Sequence, residues 1–229
     1  GADVTYVKPG DHVITCLSAF CGHCEPCLTG RMSLCSEPEL QRGESEPSRL
    51  AKGDENIAQF LNLSSFAEYM LVHEHTVAKI REDMPLDIAA LIGCGVTTGV
   101  GAVIHTAKVE AGSTVAVIGC GGVGLSAING AALAGASRII AVDMVPSKLE
   151  LARKFGATDF VNAGECDPVE AIRELTSGGV HYSFEAIGLA ATAQQAFKML
   201  RFGGTATIIG MIPVGTMVEL HGPEFLMER

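Results

Sequence analysis

Tryptophan is absent from the 229 residues, and tyrosine and phenylalanine together leave aromatic side chains at 5%. A core built from this chain must rely on aliphatic and small residues. The 27 glycines fit that picture of tight turns and closely packed α/β layers. No basic stripe occurs and the formal net charge is −10, so nucleic acid and anionic membrane surfaces are poor partners. No secretory leader is read in the acidic, polar opening GADVTYVKPGD. No solenoid-type repeat is present. Nor are the cysteines spread as a disulfide framework: four of the eight fall within fifteen residues. Clustering without a leader points to metal binding in a reducing, cytoplasmic compartment.

Two runs, 88–107 and 111–137, contain no Asp, Glu, Lys or Arg and are long enough to cross a bilayer. The second opens as a β-branched strand and holds seven glycines, which favours a buried strand–turn–helix over a membrane span.

The texture changes near residue 95. Residues 1–95 read as turns and strands: PGDHVIT as a turn feeding a strand, FAEYMLVHEHTVAKI as extended segments, and a polar loop from about Ser36 to Asn56. Residues 96–229 alternate strands and helices, which predicts a parallel sheet with right-handed crossovers. The strands are STVAVIG, SRIIAVD, TDFVN, VHYSFEAIG and TATIIG. The helices are VGLSAINGAALAG, PSKLELARKFG, DPVEAIRELTSGG and AATAQQAFKMLRFGG. The third of these is capped by Asp167 and turns Val169, Ile172 and Leu175 inward.

VAVIGCGGVG contains G-x-G-x-x-G at Gly119, Gly121 and Gly124, between a strand and a helix, with Asp143 ending the next strand. In that setting the pattern is a dinucleotide-binding fingerprint. Gly119 permits the turn, Gly121 lets backbone approach a pyrophosphate, and Gly124 allows close packing. Asp143 can accept both hydroxyls of an adenosine ribose and would repel a 2′-phosphate, which favours NAD over NADP; Lys148 can also reach the ribose. The plainer alternatives are tight packing for the glycines and a capping acid for Asp143.

Cys21, Cys24, Cys27 and Cys35 have the spacing C-x₂-C-x₂-C-x₇-C, which suits a closed, structural zinc site. An iron–sulfur cluster is the rival, although Ser36 rather than Pro follows Cys35 and the fourth cysteine is distant. His23 reads as a loop residue. Cys16 and Cys166 read as small buried hydrophobes. His73 and His75, on an extended segment, read as exposed strand histidines; His12, His105, His181 and His221 carry no motif. Cys120 fits a turn that needs a small side chain.

The four-cysteine lobe, LIGCGVTTG, GCGGVG and VD, in that order, resemble the zinc-dependent medium-chain alcohol dehydrogenases, over essentially the whole chain. LIGCGVTTGVGAV and TAKVEAGSTVAVIGCGGVGLS are similar to the dimeric branch that includes glutathione-dependent formaldehyde dehydrogenases. The resemblance implies a partial GroES-like, β-rich catalytic domain over 1–95. A Rossmann doubly wound sheet lacking its last strand would follow over 96–229. It implies a structural zinc on Cys21, Cys24, Cys27 and Cys35, and Cys94 as a ligand of a catalytic zinc. For NAD it implies Thr98, Gly119, Gly121, Gly122, Val123, Gly124, Asp143, Lys148, Ile187, Ile209 and Met211. Leu17 and Phe66 fall where the family lines its substrate pocket.

The family's other catalytic-zinc ligands lie upstream of PGDHVI, so the expectation is a fragment without turnover of its own. The intact enzyme would be a homodimer that transfers a hydride between NAD and a primary alcohol, an aldehyde or a hydroxymethyl-thiol adduct. The segment GTMVEL is a candidate edge strand for pairing of two copies. The alternative functions are a non-catalytic module that binds NAD and zinc, and an iron–sulfur carrier.

Overall fold

The computed structural model describes residues 1–37, 40, 46 and 48–222, without the side chain of Asn62. The chain divides into two compact units, Gly1–Cys94 and Gly95–Arg229.

The second unit is built on a five-stranded sheet of β5 (Thr114–Ile118), β6 (Arg138–Asp143), β7 (Asp159–Asn162), β8 (Val180–Glu185) and β9 (Leu200–Ile208). All pairs are parallel and the order is β7-β6-β5-β8-β9. This is the order of the doubly wound dinucleotide-binding sheet over its first five strands. Alternate residues of the central strands face opposite ways, and both faces are covered. Val115, Val117, Ile139, Ala141 and Phe184 pack with residues of α4 (Gly122–Leu133) and α5 (Pro146–Lys154). Ala116, Ile118, Ile140 and Val142 pack on the other face with Ile172 of α6 (Pro168–Leu175) and Ala196 of α7 (Ala190–Lys198). Small residues let α4 lie close: a methyl on Gly130 would stand 3.1 Å from Val100 Cα.

Local chemistry sets the helix ends. Asp167 caps α6, its carboxylate accepting the N–H groups of Val169 and Glu170 at 2.8 and 3.1 Å. In α6, Pro168 and Ile172 are buried and Val169 is half-buried whereas Leu175 is exposed, so the inward face ends one turn earlier than the sequence pattern suggests. α7 stops at Lys198 and β9 starts at Leu200, where the sequence pattern continues the helix to residue 204. Val180 N–H bonds the Met199 carbonyl, so sheet pairing takes over at once, with a register irregularity between Val180 and Tyr182.

The first unit contains β1 (Val13–Thr15) paired antiparallel with β4 (Val77–Lys79), and a hairpin of β2 (Leu50–Lys52) and β3 (Glu55–Ile57). The hairpin occupies the end of the stretch read as a polar loop; residues 38, 39, 41–45 and 47 of that stretch lie outside the described residues. Of the segment 66–80 read as extended, only β4 is a strand. Glu74–Thr76 is a 3₁₀ turn, because Thr76 N–H returns to the His73 carbonyl and His73 Nδ1 accepts His75 N–H. Residues 215–220 form no strand.

The apolar run Leu86–Ala107 is helical and meets the length and hydropathy of a membrane span. Its pieces are α2 (Leu86–Ala89), a π-helical turn Ile92–Val96, α3 (Thr97–Gly101) and a second π-helical turn Ala102–Ala107. Gly99 sits so close to Val123 and Ala127 of α4 that a methyl there would overlap the helix backbone, and Val103 is fully buried. That packing seats residues 99–103 against α4, whereas Leu86, Ile88, Leu91 and Ile104 of the run are exposed. Residues 111–137 fold as the expected strand–turn–helix.

Candidate functional site

The glycine-rich turn leaves the C-terminal end of β5 and opens α4. Gly119 has φ +92, and a methyl there would lie 2.6 Å from Ile187 Cγ1. A methyl on Gly124 would overlap the Gly119 carbonyl oxygen. These two glycines are therefore required by the fold. Gly121 and Gly122 are different: a methyl on either meets no protein atom within 4 Å. Both are exposed, and no side chain caps the N-terminus of α4 at Gly121. The free N–H groups and positive dipole end of a 12-residue helix thus face open space, the arrangement that receives a phosphate. A dinucleotide fits this cradle.

Asp143 ends β6 beside the turn, with only 9% of its surface exposed. Its Oδ2 accepts Cys120 N–H at 2.8 Å and its Oδ1 accepts Val145 N–H at 3.0 Å, leaving each oxygen a lone pair for a ligand. Lys148 Nζ stands 3.9 Å from Oδ2. Burial, reinforced by the Asp143 charge, pushes the Cys120 thiol up to about 12, so this buried cysteine is an inert part of the turn. Val123 and Ile209 are half-buried, whereas Thr98, Ile187 and Met211 are exposed in the second unit.

Glu185 was not singled out by the sequence pattern. It is fully buried at the end of β8, next to Ile118 of β5. Its Oε1 accepts the N–H groups of Ile187 (2.9 Å) and Gly188 (2.7 Å) and the Thr192 hydroxyl (2.8 Å). The available signal was one acid in a strand whose other residues suit a sheet covered on both faces.

In the first unit, the thiols of Cys21, Cys24, Cys27 and Cys35 converge, all four sulfurs lying within 4.8 Å of one another. The shortest separations are 3.3 Å (Cys24–Cys27), 3.8 Å (Cys24–Cys35) and 3.9 Å (Cys21–Cys27), and no disulfide links any of the eight cysteines. Zn–S bonds of about 2.3 Å in a tetrahedron imply sulfur separations of about 3.8 Å, so the set fits one zinc ion. A multi-iron cluster would hold its cysteine sulfurs farther apart, because several metal atoms must stand between them. Burial alone would raise the Cys21 thiol, yet N–H bonds from His23 and Cys24 and the neighbouring thiols bring it down to about 6. At Cys24 the backbone contact at Cys27 lowers the thiol, but burial and the thiols of Cys27, Cys21 and Cys35 together outweigh it and push it up to about 12.

Cys94 is exposed within the π-helical turn, and none of the described sets of His, Cys, Asp and Glu able to hold a metal includes it. Its neighbour Gly93 is fixed by Thr15, whose carbonyl a methyl would overlap. Neither His73 nor His75 belongs to a set of three or more groups able to hold a metal among the described residues. His75 Nδ1 bonds the Phe20 carbonyl at 2.5 Å, and its ring stacks on Phe20 at 4.7 Å. Leu17 and Phe66 are both exposed on the first unit.

Residues 122–229 match the zinc-binding dehydrogenase family model, and residues 1–82 match the alcohol dehydrogenase GroES-like domain. The chain belongs to the zinc-binding alcohol dehydrogenase family. It is 44% identical over 227 residues to an alcohol dehydrogenase class-3 of Oryza sativa subsp. japonica, covering 96% of this chain and 60% of that protein. It is 43% identical to the S-(hydroxymethyl)glutathione dehydrogenase of Saccharomyces cerevisiae, with the same coverage. The crystal structure of benzyl alcohol dehydrogenase from Acinetobacter calcoaceticus superposes with a TM-score of 0.87 at 38% identity, covering 99% of this chain and 62% of that one. This dehydrogenase-family chain thus spans about 60% of the length of the curated relatives it matches. Its two architectures are the GroES-like and Rossmann folds of this zinc-binding family, of which a dehydrogenase from Sinorhizobium meliloti 1021, 30% identical with a TM-score of 0.78, is solved with NADP bound.

Proposed function

We propose that the chain forms the dinucleotide-binding and structural-zinc portion of an oxidoreductase. The whole enzyme would move a hydride between NAD and a primary alcohol or aldehyde, or a hydroxymethyl-thiol adduct. The observation that carries this reading is the pair Gly121 and Gly122. The fold does not demand glycine at either position, yet both bare an uncapped helix end to open space. A ligand phosphate explains them.

When bound, the nicotinamide supplies the hydride acceptor or donor. The chain's own residues bind and orient. The first N–H groups of α4, at Gly122, Val123 and Gly124, take the pyrophosphate. Asp143 accepts from the ribose hydroxyls, with Lys148 beside it. Thr98, Ile187, Ile209 and Met211 flank the path toward the nicotinamide. Cys21, Cys24, Cys27 and Cys35 hold a zinc that has no open position and therefore staples the lobe. Cys94 is offered as a catalytic-zinc ligand on resemblance alone. A single exposed thiol does not by itself make a metal site.

The names of the relatives in rice, yeast and Acinetobacter support an alcohol, an aldehyde or a thiol adduct as substrate. Leu17 and Phe66 are the residues proposed to meet it. A cytoplasmic homodimer belongs to the same reading. Titration of NADH and NADPH into the 229-residue chain tests it. NADH is expected to bind at least about tenfold more tightly, because a 2′-phosphate would face the Asp143 carboxylate. Absence of NADH binding overturns the proposal.

A further inference from the structure

Glu185 is a fully buried carboxylate with an unusual division of labour. One oxygen, Oε1, takes three donors: Ile187 N–H, Gly188 N–H and the Thr192 hydroxyl. The other, Oε2, is buried without a hydrogen-bond partner. Burying a carboxylate is costly unless its hydrogen bonds repay the loss of water. Here the bonds fix the turn 186–188, which packs against the glycine-rich turn. Ile187 Cγ1 lies 2.6 Å from where a methyl on Gly119 would be, and the Ala186 methyl is 3.6 Å from the corresponding point on Gly124. On its other side the turn meets the exit of β9. A methyl on Gly188 would stand 2.7 Å from the Met211 carbonyl oxygen, and one on Gly210 would lie 2.6 Å from Glu185 Oε2. The Glu185 carbonyl also accepts Ile209 N–H and Gly210 N–H, at 2.8 and 3.0 Å.

We infer that Glu185 is a positioning residue for the dinucleotide. It does not touch the ligand. It locks the turn 186–188 and the β9 exit into one shelf beside the glycine-rich turn, and so sets where Ile187, Ile209 and Met211 stand. The inference rests on the dinucleotide reading above. It adds that affinity depends on the shape of this buried clamp rather than on its charge. Glutamine at 185 retains an oxygen for the three donors, whereas alanine leaves the Ile187 and Gly188 N–H groups and the Thr192 hydroxyl without their acceptor.

The test is fluorescence titration of NADH into the 229-residue chain and its variants well below their melting temperatures. Glu185→Ala is expected to weaken NADH binding by about tenfold to a hundredfold, the range for misplaced positioning groups, and Glu185→Gln by no more than about threefold. Asp159→Asn is the control. It removes an ion pair at the opposite, N-terminal end of the sheet and is expected to lower stability with no change in NADH affinity. Should Glu185→Ala fail to fold, Thr192→Val removes one of the three donors and is expected to weaken binding about twofold to fivefold. Wild-type affinity in folded Glu185→Ala, or in Thr192→Val where alanine does not fold, overturns the inference. So does a Glu185→Gln variant as weak as the alanine variant, which would assign the effect to charge. A wild-type chain that binds no NADH is a different result, and it overturns the dinucleotide reading together with the inference.

Discussion

Four glycines in six residues answer to two different demands. Gly119 and Gly124 are held by the protein itself: Ile187 fills the space beside the first, and the Gly119 carbonyl fills the space beside the second. Gly121 and Gly122 have nothing beside them. The two kinds separate on mutation. Gly124→Ala is expected to destabilise the second unit by about 2 kcal/mol or more, because backbone must move to admit the methyl. Gly121→Ala, at φ −79, is expected to leave the melting temperature within a degree or two of wild type and to weaken NADH at least about tenfold. Thermal melts and NADH titrations of the two variants check this; equal NADH affinity in Gly121→Ala would show that no phosphate approaches there. Asp143 carries a double duty that the spacing alone did not reveal. Besides facing the proposed ribose, it anchors Cys120 N–H and so ties the turn to β6. Asp143→Ala is therefore expected to lose NADH affinity and to narrow the NADH-to-NADPH preference, with some loss of stability. A preference unchanged from wild type would remove Asp143 from the ribose site.

At the scale of elements, signals local to the chain were legible and signals from distant partners were not. Asp167 followed by Pro168 announces α6, and the structure shows the cap bonds. Asp167→Ala is expected to cost about 1 kcal/mol in urea unfolding. The change from α7 to β9 has no such mark, because what ends the helix is pairing with Val180 on another strand. The same holds for the His75 ring, which is held by the Phe20 carbonyl, 55 positions earlier. Between β6 and β7, Arg138 donates to both oxygens of Asp159, at 2.9 and 2.6 Å, and to the Leu175 carbonyl. Those bonds hold the Asp159 carboxyl below its ordinary value, against the opposing effect of burial, and raise Arg138. A carboxylate with a depressed folded value stabilises fully above its unfolded value near pH 4 and loses that contribution as pH falls through the folded value. Asp159→Asn is therefore expected to be less stable than wild type at pH 6, by about 1 kcal/mol for a partly exposed pair. The gap should close toward pH 2. Urea melts at the two pH values check the sign, and a gap that widens in acid would contradict it.

At the scale of the molecule, the two units draw on different sources of stability. The second has a covered sheet with a cluster of buried side chains on each face. Among the described residues of the first unit only Cys35, Thr76 and Ala89 are buried. A unit with so little core needs another source of order, which the zinc proposed on the four converging thiols would supply. The cysteine spacing made the convergence of these thiols legible in the sequence. The same spacing could not show how Cys94 is surrounded, since donors to a shared metal come from positions that no local pattern links. The expectation for the 229-residue chain follows. It should contain about one zinc per chain without visible absorption, a single closed four-thiolate site. Cys35→Ser, or a strong chelator, should release the metal and raise amide exchange through residues 21–35. NADH affinity should change little, because the cradle and Glu185 draw on the second unit's own contacts. Alcohol oxidation should be undetectable in either state, because Cys94 by itself does not hold a catalytic metal. Metal analysis, hydrogen exchange and NADH titration on the same samples check each step. Iron in place of zinc would overturn the staple, and turnover by this chain would show that Cys94 finds its co-ligands within these residues.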